Sequence, residues 1–169
     1  METSHCLRVR TATPADIPAM MELERQCETA AHWTEGQYQR VFQSTESDPS
    51  QRLALLIDEN HDARSEPRPK VEFPLIAFLV ANHVGREWEL ENVVVKSNFR
   101  RKGVGTRLLN ELLTRGRATN SESVFLEVRE SNQAARALYL KWGFEQAGRR
   151  KGYYTNPPED AILYRRSLL

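Results

Sequence analysis

An alternating run from Trp88 to Val95 leads into Arg100-Arg101-Lys102-Gly103-Val104-Gly105, and that turn opens a helix-like run from Thr106 to Arg117. A strand handed directly to an amphipathic helix belongs to a layered α/β domain, in which helices cover a sheet. Two glycines two apart let the main chain approach a ligand with no Cβ in the way. The N–H groups of a first helical turn lack intrahelical partners. The helix dipole adds partial positive charge there, and Arg100, Arg101 and Lys102 add full charges. Such a turn suits an anion, above all a pyrophosphate.

The remaining runs fix the order of elements. Residues 6–10 form a short strand. Thr13 can cap a helix that starts at Pro14 and Asp16 and buries Ile17, Met20, Met21 and Leu23. A second short helix starts at Thr34, which has capping-box spacing to Gln37, while Trp33 and Tyr38 stand at the staple positions. Residues 53–57, 74–84 and 87–95 are strands, the last two joined through Gly85. Residues 58–72 hold Pro67 and Pro69 and read as a long exposed loop. Val104, Leu108, Leu109, Leu112 and Leu113 give one helical face. Residues 124–129 form a strand and residues 131–142 a helix with Ala135, Leu138 and Trp142 along one side. Gly143 ends that helix, Phe144 opens a further strand, and residues 161–167 form the last one. The order β-α-α-β-β-β-α-β-α-β-β predicts one α/β domain spanning 1–169, built on a mixed sheet.

Totals exclude several function classes. The chain has 169 residues and a net charge of +1, so bulk charge gives no argument for nucleic acid or membrane binding. Its 2 cysteines, Cys6 and Cys27, are too few for a structural zinc site. They fit a reducing compartment as free thiols, and no histidine lies near them to make a nucleophile. No apolar run reaches the roughly 20 residues that span a bilayer, and the N-terminus lacks a signal pattern. The expectation is a cytoplasmic protein without a metal, monomeric or weakly dimeric.

The element order, with its glycine turn after the fourth strand, resembles the GNAT superfamily of N-acetyltransferases. Arg100-Arg101-Lys102-Gly103-Val104-Gly105 matches the family's Q/R-x-x-G-x-G/A turn. Asn132-Gln133-Ala134-Ala135-Arg136-Ala137-Leu138-Tyr139 matches its N-x-x-A-x-x-x-Y helix, and Gly143-Phe144 its G-F step. Three segments narrow the resemblance to the RimI-type N-terminal-alanine acetyltransferases, which act on a ribosomal protein. Leu126-Glu127-Val128-Arg129-Glu130-Ser131-Asn132 looks like their L-E-V-R-x-S-N. Trp33-Thr34-Glu35-Gly36-Gln37-Tyr38 is similar to their W-S/T-E-x-x-F/Y. Arg149-Arg150-Lys151-Gly152-Tyr153-Tyr154, followed by Glu159-Asp160-Ala161, looks like their R-R-x-Y-Y…E-D-A with one residue added. The loop 58–72 is longer than usual for the family, and Glu89-Leu90-Glu91 carries more carboxylates than that pattern.

The resemblance implies the GNAT fold, a mixed and mostly antiparallel sheet flanked by helices, with strands splayed around acetyl-CoA. It implies that Arg101, Lys102, Gly103, Val104, Gly105 and Thr106 face the pyrophosphate, with Arg100 and Lys102 adding charge. Val93, Val94 and Val95 would offer main chain to the pantetheine arm, Asn132 would touch it, and Ala135 would leave it room. Acetyl transfer needs a neutral amine and a proton for the leaving thiolate. Glu127 is the base candidate: it shares a strand face with Phe125 and Arg129, where partial desolvation would raise its pKa. Glu89 and Glu91, two apart on one face, are rival bases or partners of the acceptor's ammonium. Tyr139 is the general-acid candidate by resemblance. Trp33, Asn92, Tyr153 and Tyr154 would line the acceptor channel. An α-amine titrates near ~8 and a lysine near ~10.4, so a weak base favours an N-terminal acceptor. A lysine or small amine as acceptor, and a non-catalytic acyl-CoA-binding module, stay open as alternatives.

Overall fold

The computed structural model describes residues 7–28, 30–43, 51–58 and 75–169. The expected loop at 58–72 lies, from residue 59 on, outside the described residues, as does Cys6. Seven strands form one sheet, β1 (Arg8–Thr11), β2 (Gln51–Asp58), β3 (Leu75–Val84), β4 (Glu87–Val95), β5 (Ser123–Arg129), β6 (Glu145–Thr155) and β7 (Pro158–Ser167). Their spatial order is β1-β2-β3-β4-β5-β7-β6. Every pair is antiparallel except β4 and β5. A parallel pair needs a crossover, and α3 (Val104–Ala118) supplies it. The other helices are α1 (Ile17–Arg25), α2 (Glu35–Val41) and α4 (Gln133–Lys141). This is the expected order of elements and the expected mixed sheet.

Local rules explain the helix starts. Thr34 and Gln37 form the capping box, with the Thr34 N–H 2.8 Å from Gln37 Oε1. The staple is made as well, the Trp33 and Tyr38 rings lying 5.4 Å apart. Ahead of α1, Pro14–Asp16 is a turn of 3₁₀ helix, and Asp16 accepts from the Thr13 N–H at 2.8 Å. The last helix departs from expectation. It begins after Asn132, whose side chain accepts from the Ala135 N–H at 3.1 Å, so Asn132 is its cap. Ala135 and Tyr139, four apart, turn toward the core with Trp142, while Leu138 is 39% exposed.

The sheet separates two cores. On one face α3 lays Val104, Leu108, Leu109, Leu112 and Leu113 over Leu55, Ile57, Leu79, Trp88, Leu90, Leu126 and Tyr164. On the other, Ile17, Met20 and Leu23 of α1 and Tyr38 and Val41 of α2 cover Ala54, Leu56, Phe78, Val80 and Val94. That second core reaches no further than β4. The same face of β5 carries Glu127 and Arg129 instead.

Candidate active site

Strands β4 and β5 pair only from Glu87↔Ser123 to Glu89↔Phe125, although β4 runs on to Val95 and β5 to Arg129. Beyond that point they diverge, and each turns an unpaired edge to the gap. A bulge in β4 accompanies the divergence: Val80 pairs with Asn92 and Ala81 with Leu90, leaving Glu91 as an extra residue. Bulges bend a strand and re-aim its side chains. Before the bulge, Trp88 and Leu90 join the α3 core; after it, Val93 and Val95 do, while Asn92 and Val94 face α1. The change of parity puts Glu89, Glu91 and Asn92 on one face. Glu89 pairs with Phe125, so Phe125, Glu127 and Arg129 share that face across the gap.

The glycine turn closes one end of the gap. Arg101 (φ 61°) and Gly103 (φ 78°) are both left-handed, and Gly103 caps α3. The first intrahelical bond there runs from the Arg107 N–H to the Gly103 carbonyl at 3.0 Å, which leaves the N–H groups of Val104, Gly105 and Thr106 pointing out of the helix start. The two glycines have separate reasons. A Cβ on Gly103 would meet nothing within 4 Å, so its backbone conformation alone selects glycine. A Cβ on Gly105 would stand 3.3 Å from the Trp142 ring, so this glycine admits an indole from the end of α4. The same indole donates from Nε1 to Thr106 Oγ1 at 3.0 Å, locking the turn to α4.

The cations at the turn are not equivalent. Arg101 is exposed, and Lys102 stands over the Phe99 ring, 5.5 Å from its centroid. Arg100 folds back, its Nε donating to the Val95 carbonyl at 3.0 Å and its terminal nitrogen lying 3.3 Å from the Cys27 sulfur. The Val95 carbonyl, expected as a partner for a pantetheine arm, therefore already has a donor in this arrangement.

Tyr139 sits half-buried among Trp142, Phe144 and Tyr164, with ring centroids 5.9, 5.8 and 6.3 Å away. Burial, with a smaller push from Tyr154, raises its phenol to about 12. Such a hydroxyl keeps its proton at neutral pH and is present as a donor.

On the opposite side of the gap stands a charged cluster. Glu127 is 2.9 Å from Arg150 Nε, and Glu91 is 3.4 Å from Arg52 Nε. Burial raises the Glu89 carboxyl above its ordinary range, and the neighbouring Glu127 adds to the rise; Arg150 and Arg52 oppose it. Glu91 is raised as well, by burial first and against Arg52. Arg129 lies 4.0 Å over the Tyr154 ring and pairs with Glu159 at 3.2 Å. Arg150 stands 5.5 Å over Tyr153, whose phenol is raised by burial and by its hydrogen bond to Glu127. The added residue before the tyrosines is absorbed by a second bulge, between Arg150 and Tyr154, where Gly152 donates to Asp160 at 2.8 Å. Glu127, Glu89, Glu91, Tyr153 and Tyr154 thus converge on one face, while Trp33 packs beside Tyr38 against the α1–α2 core.

Four residues make contacts that were not foreseen from the chain alone: Glu24 and Arg52, which no motif named, and Arg129 and Arg150, which stood in the motif segments without their partners. Three of them act by pairing across strands, for which sequence spacing carries no signal. Glu24 does leave a trace, a carboxyl at helical spacing from Ile17 and Met20 within the buried stripe of α1. It is 1% exposed.

The outward N–H groups at Gly103, the unpaired edges of β4 and β5 and the half-buried Tyr139 fit an acyl-CoA threaded through the gap. Comparison with known proteins agrees. Residues 17–144 match the family model for acetyltransferases of the GNAT type. The ribosomal protein bS18-alanine N-acetyltransferase of Salmonella typhimurium is 31% identical over 150 residues, covering 88% of each chain. An uncharacterized protein of Mycobacterium leprae is 44% identical over 80 residues, which are 47% of this chain and only 21% of that protein. The crystal structure of the Escherichia coli ribosomal-protein-alanine N-acetyltransferase superposes with a TM-score of 0.74 at 26% identity, over 96% of this chain and 94% of that one. The chain belongs to the acetyltransferase (GNAT) family, whose acetyl donor is acetyl-CoA.

Proposed function

We propose that this protein acetylates the N-terminal α-amine of a protein, with Glu127 as the base and Tyr139 as the acid. The observation that supports the reading is the unpaired stretch of β4 and β5, with Glu127 on its β5 edge; Tyr139 lies on α4, half-buried. Bound acetyl-CoA supplies an activated acetyl thioester. The outward N–H groups at 104–106, with Arg101 and Lys102 beside them, hold the anionic end of the donor. Glu127 takes a proton from the acceptor ammonium through a water, which leaves a neutral amine able to attack. The amine nitrogen attacks the thioester carbonyl carbon and the C–S bond breaks. The Tyr139 hydroxyl, kept protonated by its surroundings, gives its proton to the departing sulfur and regains the proton that the new amide nitrogen releases. Trp33, Tyr153 and Tyr154 offer aromatic walls with polar tips to an extended peptide.

Relatives named as protein N-terminal acetyltransferases support the acceptor class, the Salmonella enzyme above all, which by its name acts on an alanine of a ribosomal protein. A cytoplasmic site of action follows from such an acceptor. One rival has an observation of its own: Glu89, with its carboxyl raised, is the alternative base. The test uses acetyl-CoA with a hexapeptide that begins with alanine and contains a lysine, offered free and with its N-terminus blocked. Acetyl incorporation is expected on the free peptide alone, at the α-amine by mass spectrometry. Equal incorporation into both peptides would overturn the N-terminal reading in favour of a lysine acceptor.

A further inference from the structure

Glu24 is a carboxyl group 1% exposed in the last turn of α1. Both of its oxygens accept. Oε2 takes the Trp33 backbone N–H and the Tyr38 hydroxyl, each at 2.8 Å, and Oε1 takes the Asn92 side-chain amide, also at 2.8 Å. The three donors come from three places: the segment before α2, α2 itself, and the β4 bulge. No bulk cation is needed to satisfy the group, since the donors surround it.

A buried carboxyl is expensive to desolvate, and its hydrogen bonds return only part of that cost. An apolar residue would suit the stripe of Ile17, Met20 and Leu23 as well, but apolar contacts are non-directional. A carboxyl with three directed donors fixes positions. Here the positions are Trp33 on one rim of the acceptor face and Asn92, next to the bulged Glu91, on the other.

We propose that Glu24 is a positioning residue for the acceptor: it sets the spacing between Trp33 and the Glu91–Asn92 bulge, and so the width of the channel entrance. The inference rests on the reading that these residues border the acceptor. Glu24 itself lies beneath the channel and acts through Trp33 and Asn92.

The test exploits the direction of the Glu24–Asn92 bond. Asn92→Asp sets two acceptors face to face and should push Glu24 off its donors. Adding Glu24→Gln then restores a donor across the same contact, while its remaining oxygen still serves Trp33 and Tyr38. Asn92→Asp is expected to raise the KM of the free alanine hexapeptide about 2- to 10-fold, the scale of one hydrogen bond, with kcat and the acetyl-CoA KM little changed. The Glu24→Gln/Asn92→Asp pair should return the peptide KM most of the way. Acrylamide quenching of tryptophan fluorescence gives a readout that needs no acceptor. Trp88 and Trp142 are 5% and 7% exposed, so quenching reports Trp33; it should increase in Asn92→Asp and fall back in the pair. Tyr38→Phe is the stability control, expected to lower Tm without raising the peptide KM. Absence of rescue in the pair, or an equal rise in the acetyl-CoA KM, would overturn the proposal. Should the wild-type protein ignore the peptide, the N-terminal reading fails, and the quenching series alone still decides whether Glu24 holds Trp33.

Discussion

The two sides of the β4–β5 gap are built by different means. The side proposed for the donor is made of main chain: a bulged strand with an open edge, a left-handed glycine and three N–H groups at a helix start, all between residues 89 and 106. The side proposed for the acceptor is made of side chains drawn from across the chain: Arg52 from β2, Glu89 and Glu91 from β4, Glu127 and Arg129 from β5, Arg150, Tyr153 and Tyr154 from β6. A backbone-built site tolerates little change in conformation and much change in charge. A site of paired side chains is the reverse, because each pair can be rewired while the sheet stays in place. One scaffold can therefore keep its donor and alter its acceptor.

The largest expected effect lies on the acceptor side. Glu127→Gln should lower kcat about 10²- to 10⁴-fold, the usual range for a lost acid or base, with the acetyl-CoA KM little changed. Tyr139→Phe should lower kcat in the same way. Steady-state kinetics with the free hexapeptide checks both. A greater loss in Glu89→Gln than in Glu127→Gln would move the base to β4 and make the raised carboxyl, not the family-like position, the reactive one.

The donor side should respond to conformation. Gly103→Val places a β-branched residue at φ 78° with open space around it, so only the backbone resists. A left-handed residue costs about 1–2 kcal/mol, which corresponds to roughly a tenfold rise in the acetyl-CoA KM if the turn relaxes to avoid it. The peptide KM should stay put. Gly105→Ala probes the other reason for a glycine. Its backbone is unstrained, and the methyl group would instead press on a Trp142 ring that is tied to Thr106. Crowding of that kind costs about 1–3 kcal/mol and should show in Tm before it shows in KM. A peptide KM that moved with either substitution would mean that the two sides are not separable.

This contrast also explains what could be read from the chain. The strand, the turn and the helix of the donor side are neighbours in sequence, so spacing and residue type report them directly. The capping box at Thr34 and Gln37 and the staple of Trp33 and Tyr38 were visible for the same reason. Arg150 beside Glu127 and Arg52 beside Glu91 were not, because those pairs depend on a sheet order in which β7 comes between β5 and β6 and β3 between β2 and β4. The change of side-chain parity at Glu91 was hidden too, since a bulge depends on the partner strand. Asn132 and Gly105 were readable as motif residues, yet their contacts here are a helix cap and an indole.

Stability against pH separates carboxyls of the acceptor face from those that only hold the fold. Glu89 is raised by burial and by Glu127, so the folded protein binds its proton more tightly than the unfolded chain does. Its contribution to stability is full below the unfolded value of about 4.5 and is lost as pH rises through the folded value. Glu89→Gln removes that loss. It should raise Tm near neutral pH by no more than about 2–4 °C, the scale of ~1 kcal/mol in a chain of this size, since water screens a half-buried group. The difference should close as pH falls below the unfolded value. Asp16 is the opposite case. Its bond to Arg10, at 2.7 Å, lowers its carboxyl below the ordinary range, at a corner of the fold where Arg10 also meets Asp58. Its contribution is full above the unfolded value and is lost as pH falls through the folded one, so Asp16→Asn should lower Tm at neutral pH by a smaller amount and converge with wild type in acid. Thermal melts of both variants across the acid range would show gaps of opposite sign. Gaps of the same sign would mean that the acceptor-face carboxyl is paired as well as the structural one, and that the acceptor side carries no stored electrostatic cost.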